Sequence, residues 1–63
     1  MTIIEELKQV QTEWGLYDFE MCNWMCVSMR RFNEIMRGNE MPSIYNLIMF
    51  VASTRRPLYS LMP

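Results

Sequence analysis

Histidine is absent from this chain of 63 residues, lysine occurs once, and glycine and cysteine occur twice each. Each shortage removes some chemistry. Without histidine there is no imidazole base, and a zinc site would need thiols and carboxylates in unusual roles. No metal or cofactor is expected. The chain has no plausible nucleophile–base pair, and its Asp and Glu residues read as surface helix positions, so an enzyme is not expected either. Cys22 and Cys26 are four apart, which places both on one helix face. That spacing matches neither a CxxC redox motif nor a ligand loop, and both read as small buried side chains.

Long apolar runs are also missing. Nothing approaches the roughly 18 residues that cross a bilayer, and the opening MTIIEELKQ carries acids where a signal peptide carries bases. The expectation is a cytoplasmic protein with no membrane contact, a setting in which a structural disulfide is out of place.

What is present is an apolar composition for so short a chain, with eight Met, three Tyr, three Phe and two Trp. A single domain over residues 1–63 is the largest unit such a length supports. Surface is large relative to volume at this size, so some apolar side chains must lie outside, and self-association follows as an expectation. The net charge of −1 is unevenly spread. Up to Cys26 one base faces five acids, a balance of −4; from Val27 onward five arginines face two acids, a balance of +3. One basic side is the pattern of a small phosphate-reading surface.

Punctuation along the chain predicts four or five short helices and no strands. Thr2 is an N-cap with Glu5 placed for a capping box, Ile3, Leu7, Val10 and Trp14 form a stripe, and Gly15 ends the first helix. A helix over about 18–25 turns Met21, Cys22 and Met25 inward. Ser28 caps a helix over 29–37, with Phe32 and Ile35 inward and Gly38 closing it. Ser43 follows Pro42 and starts a fourth helix, in which Ile44, Leu47, Ile48 and Val51 read as buried. Pro57 opens a short last piece, LYSLM.

Two short helices joined by a three-residue turn, with serine capping the second, make a helix-turn-helix. From Gly15 the chain reads GLYDFEMCNWMCVSMRRFNEIMRGNEMPSIYNL. It resembles the Cro/phage-repressor (Xre-like) family, whose pattern runs roughly GLTQEELAxxLGVSxxxIxxI/WExGxxxPSxxxL. Gly15, Leu16, Glu20, Met21, Val27, Ser28, Phe32, Ile35, Gly38, Pro42, Ser43 and Leu47 match or substitute closely, in register and without a gap. The resemblance covers about residues 7–62 and implies an all-α, lambda-repressor-like domain.

It also explains the two cysteines. Cys22 stands at the family's small alanine, where the two helices cross, and Cys26 at its glycine, where the turn bends. A side chain at the second site implies a strained positive φ. Other departures touch function. Tyr17 and Asp18 replace the Thr-Gln that often donates to phosphate, and an ionised Asp18 cannot donate. Met36 replaces a Glu commonly paired with an Arg of the first helix, which this chain also lacks.

The resemblance implies a dimeric, sequence-specific regulator of phage or mobile-element type, a repressor or autorepressor, that reads a palindromic operator in double-stranded DNA through the major groove. Carried over by position, Met29, Arg30, Asn33 and Glu34 are the base-reading candidates. Arg30 suits the O6/N7 edge of guanine, Met29 a thymine methyl, and Glu34 either a cytosine amine or the orienting of Arg30 or Arg31. Arg31, Arg37 and Asn39 are assigned to phosphates. Leu58, Tyr59, Leu61 and Met62, aided by Ile44 or Tyr45, either form a dimer patch or close the monomer core. The alternative is that the same fold binds a protein partner, as an antirepressor or inhibitor.

Overall fold

A computed structural model describes residues 2–61. Among them there are four α-helices and no strands: α1 (Ile3–Trp14), α2 (Asp18–Met25), α3 (Met29–Met36) and α4 (Ile44–Thr54), followed by a 3-10 turn at Tyr59–Leu61. None of these helices is long and apolar enough to cross a membrane.

Each helix starts where a side chain or extended residue satisfies its orphan amides. Thr2, Ser28 and Ser43 accept from the amides of Glu5 (3.2 Å), Arg31 (3.2 Å) and Asn46 (3.1 Å). The capping box expected at Thr2 forms only its forward half among the described residues. The back-bond appears instead at the next helices, where Tyr17 N–H donates to Glu20 Oε1 at 3.0 Å and Ser43 N–H to Asn46 Oδ1 at 3.1 Å. The ends are left-handed at Gly15 (φ 63°) and Cys26 (φ 60°), and the chain turns again at Gly38 (φ 84°).

Leu7 and Val10 from α1, Met21, Cys22 and Met25 from α2, Phe32 from α3, Leu47 and Phe50 from α4 and Leu58 make one core, and Ile35 is also fully buried. The central element is α2, which packs against both α3 and α4, while α1 touches α3 and the 3-10 turn.

Four expectations need correction. Cys26 is exposed and outside the helix, because the left-handed turn carries its side chain away from Cys22. Glu6 is buried, not a surface acid, because both carboxylate oxygens accept from the C-terminal segment. In α4, Ile44 and Ile48 face outward and Val51 is half-buried, while Asn46, Leu47, Phe50 and Thr54 face in. That face seats Leu47 and Phe50 in the core, and Asn46 is satisfied there because its Nδ2 donates to Met25 O at 2.9 Å. Lastly, Leu58 is 2% exposed and closes the monomer core, so it does not belong to a dimer patch.

The turn after α2 yields a direct prediction. A side chain at positive φ costs of order 1–3 kcal/mol, and Cys26 makes only a long Sγ contact to Asn23 O (3.8 Å) in return. Cys26→Gly gives back part of that gain through unfolded-state entropy. The expected result is a net stabilisation of about 0.5–1 kcal/mol, raising the thermal midpoint by a few degrees. Circular dichroism at 222 nm checks it, and no change or a loss would mean that the thiol packs more tightly than its exposure implies.

Candidate nucleic-acid interface

The α2–α3 pair presents the surface of interest. Val27 N–H closes onto Cys22 O at 3.1 Å, which ends α2 and sets up Ser28 to begin α3 after three residues. Phe32 and Ile35 are buried beneath α3. At 100° per residue, the opposite face then carries Arg30, Asn33, Glu34 and Arg37, with Met29 on one flank and Arg31 on the other.

These side chains divide into free and committed groups. Arg30 and Asn33 are exposed and have no side-chain partner among the described residues. Glu34 is committed: its Oε2 accepts from Asn39 Nδ2 at 2.9 Å and its Oε1 from Arg37 Nη1 at 3.4 Å. The expectation that Glu34 orients Arg30 or Arg31 is corrected by this arrangement. Its physical cause is the Gly38 turn, which folds the chain back so that Asn39 and Glu40 amides donate to Glu34 O at 2.9 and 3.3 Å. Glu34, Arg37 and Asn39 therefore form one polar cluster over the C-terminal end of α3.

Arg31 leans the other way. Its Nε lies 3.5 Å from Glu40 Oε2, and its Nη2 donates to Met41 O at 3.4 Å, holding the loop before α4 against α3. Both this pair and Arg37–Glu34 are solvated, and such pairs are worth at most about 1 kcal/mol, so an incoming phosphate exchanges with them readily. Met29 lies over the helix crossing, with its Sδ 3.8 Å from Cys22 Sγ. Burial, with Asp18 adding to it, pushes the Cys22 thiol above its ordinary pKa against an opposing backbone hydrogen bond, so it stays protonated at neutral pH.

Three features at the margins were not read from the chain. Gln11 Nε2 donates to Asp18 Oδ1 at 2.7 Å and to Leu16 O at 3.1 Å, so the acid at the start of α2 is engaged from α1. The exposed rings of Tyr17 and Phe19 stack, with centroids 5.7 Å apart. Glu13 Oε2 lies 3.6 Å from Arg56 Nη2, which ties the C-terminal segment to α1 and removes Arg56 from the free cations; Arg55 is exposed and has no partner among the described residues. Sequence spacing offers a signal only for Phe19, which lies on the polar side of α2. The bonds of Gln11 and Arg56 cross between elements.

Of the four C-terminal residues named above, Tyr59 is exposed, Leu58 is buried, Leu61 is described by its backbone alone, and Met62 lies outside the described residues. A cleft of about 440 Å³ is lined by Glu6, Gln9, Arg56, Tyr59 and Ser60. Compared with protein-family models, curated proteins and solved structures, the chain matches none of them.

Proposed function

We propose that this chain is a lambda-repressor-like helix-turn-helix domain of the Cro/Xre type. In this reading it is a cytoplasmic DNA-binding regulator, of phage or mobile-element type, that represses transcription, including that of its own gene, from a palindromic operator. The observation that carries the reading is α3: Arg30 and Asn33 project from one face without side-chain partners among the described residues, while Phe32 and Ile35 anchor the other. With side chains an α-helix is about 10–12 Å across, the width a major groove accepts, and the eight residues of α3 run about 12 Å along it.

In this role Arg30 forks onto the O6/N7 edge of guanine and Asn33 pairs with the N6/N7 edge of adenine. Met29 touches a thymine methyl near the helix crossing. Arg31 and Arg37 exchange their solvated ion pairs for phosphate oxygens, and Asn39 with the amides beyond Gly38 fixes the register along the backbone. Glu34 serves chiefly to hold Arg37 and Asn39 in place. Three arginines per copy give a monomer little affinity, so two half-sites are read together by a homodimer. No cofactor or catalytic step enters.

The test is fluorescence anisotropy on duplexes from the DNA flanking the gene, with and without inverted repeats. Four arginine–phosphate contacts in a pair of copies, Arg31 and Arg37 from each, predict a log–log salt slope of about −3.6. Arg30→Ala should cost about 1–3 kcal/mol at one base pair of each half-site while leaving the other positions unaffected. An equal loss on every sequence would reassign Arg30 to the backbone.

A second reading, a module that binds a protein partner, draws on the stacked Tyr17–Phe19 pair beside Asp18. Exposed aromatics next to an acid suit a protein surface better than phosphate. That reading predicts no salt-dependent affinity for any duplex, and a stable complex with another protein.

A further inference from the structure

The strongest unexplained surface is the outer face of α4. Ile44 and Ile48, one turn apart, are 64% and 56% exposed, Tyr45 beside them is 58% exposed, and Met41 just before the helix is 68% exposed. The inner face of the same helix packs into the core, chiefly against α2, and this outer stripe takes no part in that core among the described residues. Its ends carry opposite charge. Among the described residues, Glu40, next to Met41, has one carboxylate oxygen near Arg31 and the other without a partner, and Arg55, just past the C-terminal end, is exposed and unpaired.

We infer that this face pairs with the same face of a second copy, α4 against α4 in antiparallel order, with Ile48 near the two-fold axis. A stripe that reads acid, Met, Ile, Tyr, Ile, Arg from one end to the other is complementary to itself when reversed. Ile48 meets Ile48, Ile44 meets the small Ala52, and Glu40 at one end meets Arg55 of the other copy, twice by symmetry. A second copy is favoured over an unrelated partner by that complementarity.

The area supports a modest dimer. The four large side chains expose on the order of 500 Å² per copy, below the roughly 800 Å² that a standard interface takes from each partner. Their loss to water drives association in the micromolar range rather than the nanomolar. This inference supplies the dimer surface for the paired half-site reading above, but it is tested without DNA, so either can fail alone.

The experiment is sedimentation equilibrium of the full chain across about 1 µM to 1 mM, with thermal unfolding recorded for every variant. The wild type is expected to dimerise. Ile48→Asp, a surface change that leaves the monomer fold intact, should be monomeric throughout. Arg55→Glu sets like charges against each other at both ends and should weaken the dimer about tenfold or more, and adding Glu40→Lys should recover most of that loss. A monomeric wild type overturns the inference, as does a dimer indifferent to Ile48→Asp. Failure of the charge swap to recover affinity overturns the antiparallel register.

Discussion

Phe32→Ala is expected to cost about 3–5 kcal/mol of folding free energy, the range for removing a buried aromatic ring and leaving a cavity. The ring is almost completely buried within the core formed by α1, α2, α4 and Leu58. A single core of this size rarely supplies more than about 3–5 kcal/mol in total, so the variant should be largely unfolded at 25 °C. The consequence is functional as well as structural. Phe32 lies on the side of α3 opposite Arg30, and it is what makes the position of Arg30 definite. Under the proposed DNA-binding function, loss of the ring should remove duplex binding at every sequence, unlike loss of Arg30, which should relax one base pair. Urea unfolding followed by circular dichroism measures the stability change. Phe32→Leu serves as the control, keeping the fold at a cost of about 1–2 kcal/mol. A folded, cooperative Phe32→Ala protein would show that α3 is held by other contacts.

The second large effect falls at the other end of the molecule. Glu6, 2% exposed, accepts from Tyr59 N–H through Oε1, and from Ser60 N–H at 3.1 Å and Ser60 Oγ at 3.0 Å through Oε2. One carboxylate thus caps the 3-10 turn from more than fifty residues away and keeps Leu58 in the core. Glu6→Ala withdraws three charge-assisted acceptor contacts and leaves the Tyr59 amide without an acceptor in a part-buried site. The expected cost is about 2–4 kcal/mol. Glu6→Gln keeps one neutral acceptor and should recover about half of it. Amide hydrogen exchange separates this from general destabilisation, because Tyr59 and Ser60 should lose protection before the amides of α2 do. Uniform loss across the chain would make Glu6 a determinant of the whole fold rather than of its C-terminal closure.

Much of the architecture is legible in local chemistry. Thr2, Ser28 and Ser43 start helices, and Gly15 and Gly38 mark where helices end, as the cap rules require, since these residues satisfy orphan amides or accept a left-handed backbone without help from elsewhere. Phe32 and Ile35 were readable as inward because α3 is polar on every other side. The inner face of α4 was not, for the opposite reason. IYNLIMFVAS is apolar almost all the way round, so periodicity ranks its faces poorly, and a polar residue, Asn46, turned out to be among the deepest. Glu6 left a faint trace, standing on the same helical side as Ile3 and Val10, but an acid is assigned outward unless its acceptors are known. The proposed site divides in the same way. Which residues share the outer face of α3 follows from helical angle; that Glu34 is occupied by Arg37 and Asn39 while Arg30 stands free depends on how the chain folds back at Gly38.

The sequence by itself determined an all-helical chain, where its helices begin and end, and which side of α3 is apolar, because these depend on interactions a few residues apart. Tertiary structure alone decided the rotation of α4, the burial of Glu6 and Leu58, and which arginines remain unpaired. Those outcomes turn on contacts between distant segments, such as the hydrogen bond from Asn46 to Met25 O beside the buried Leu47 and Phe50, which local periodicity does not encode.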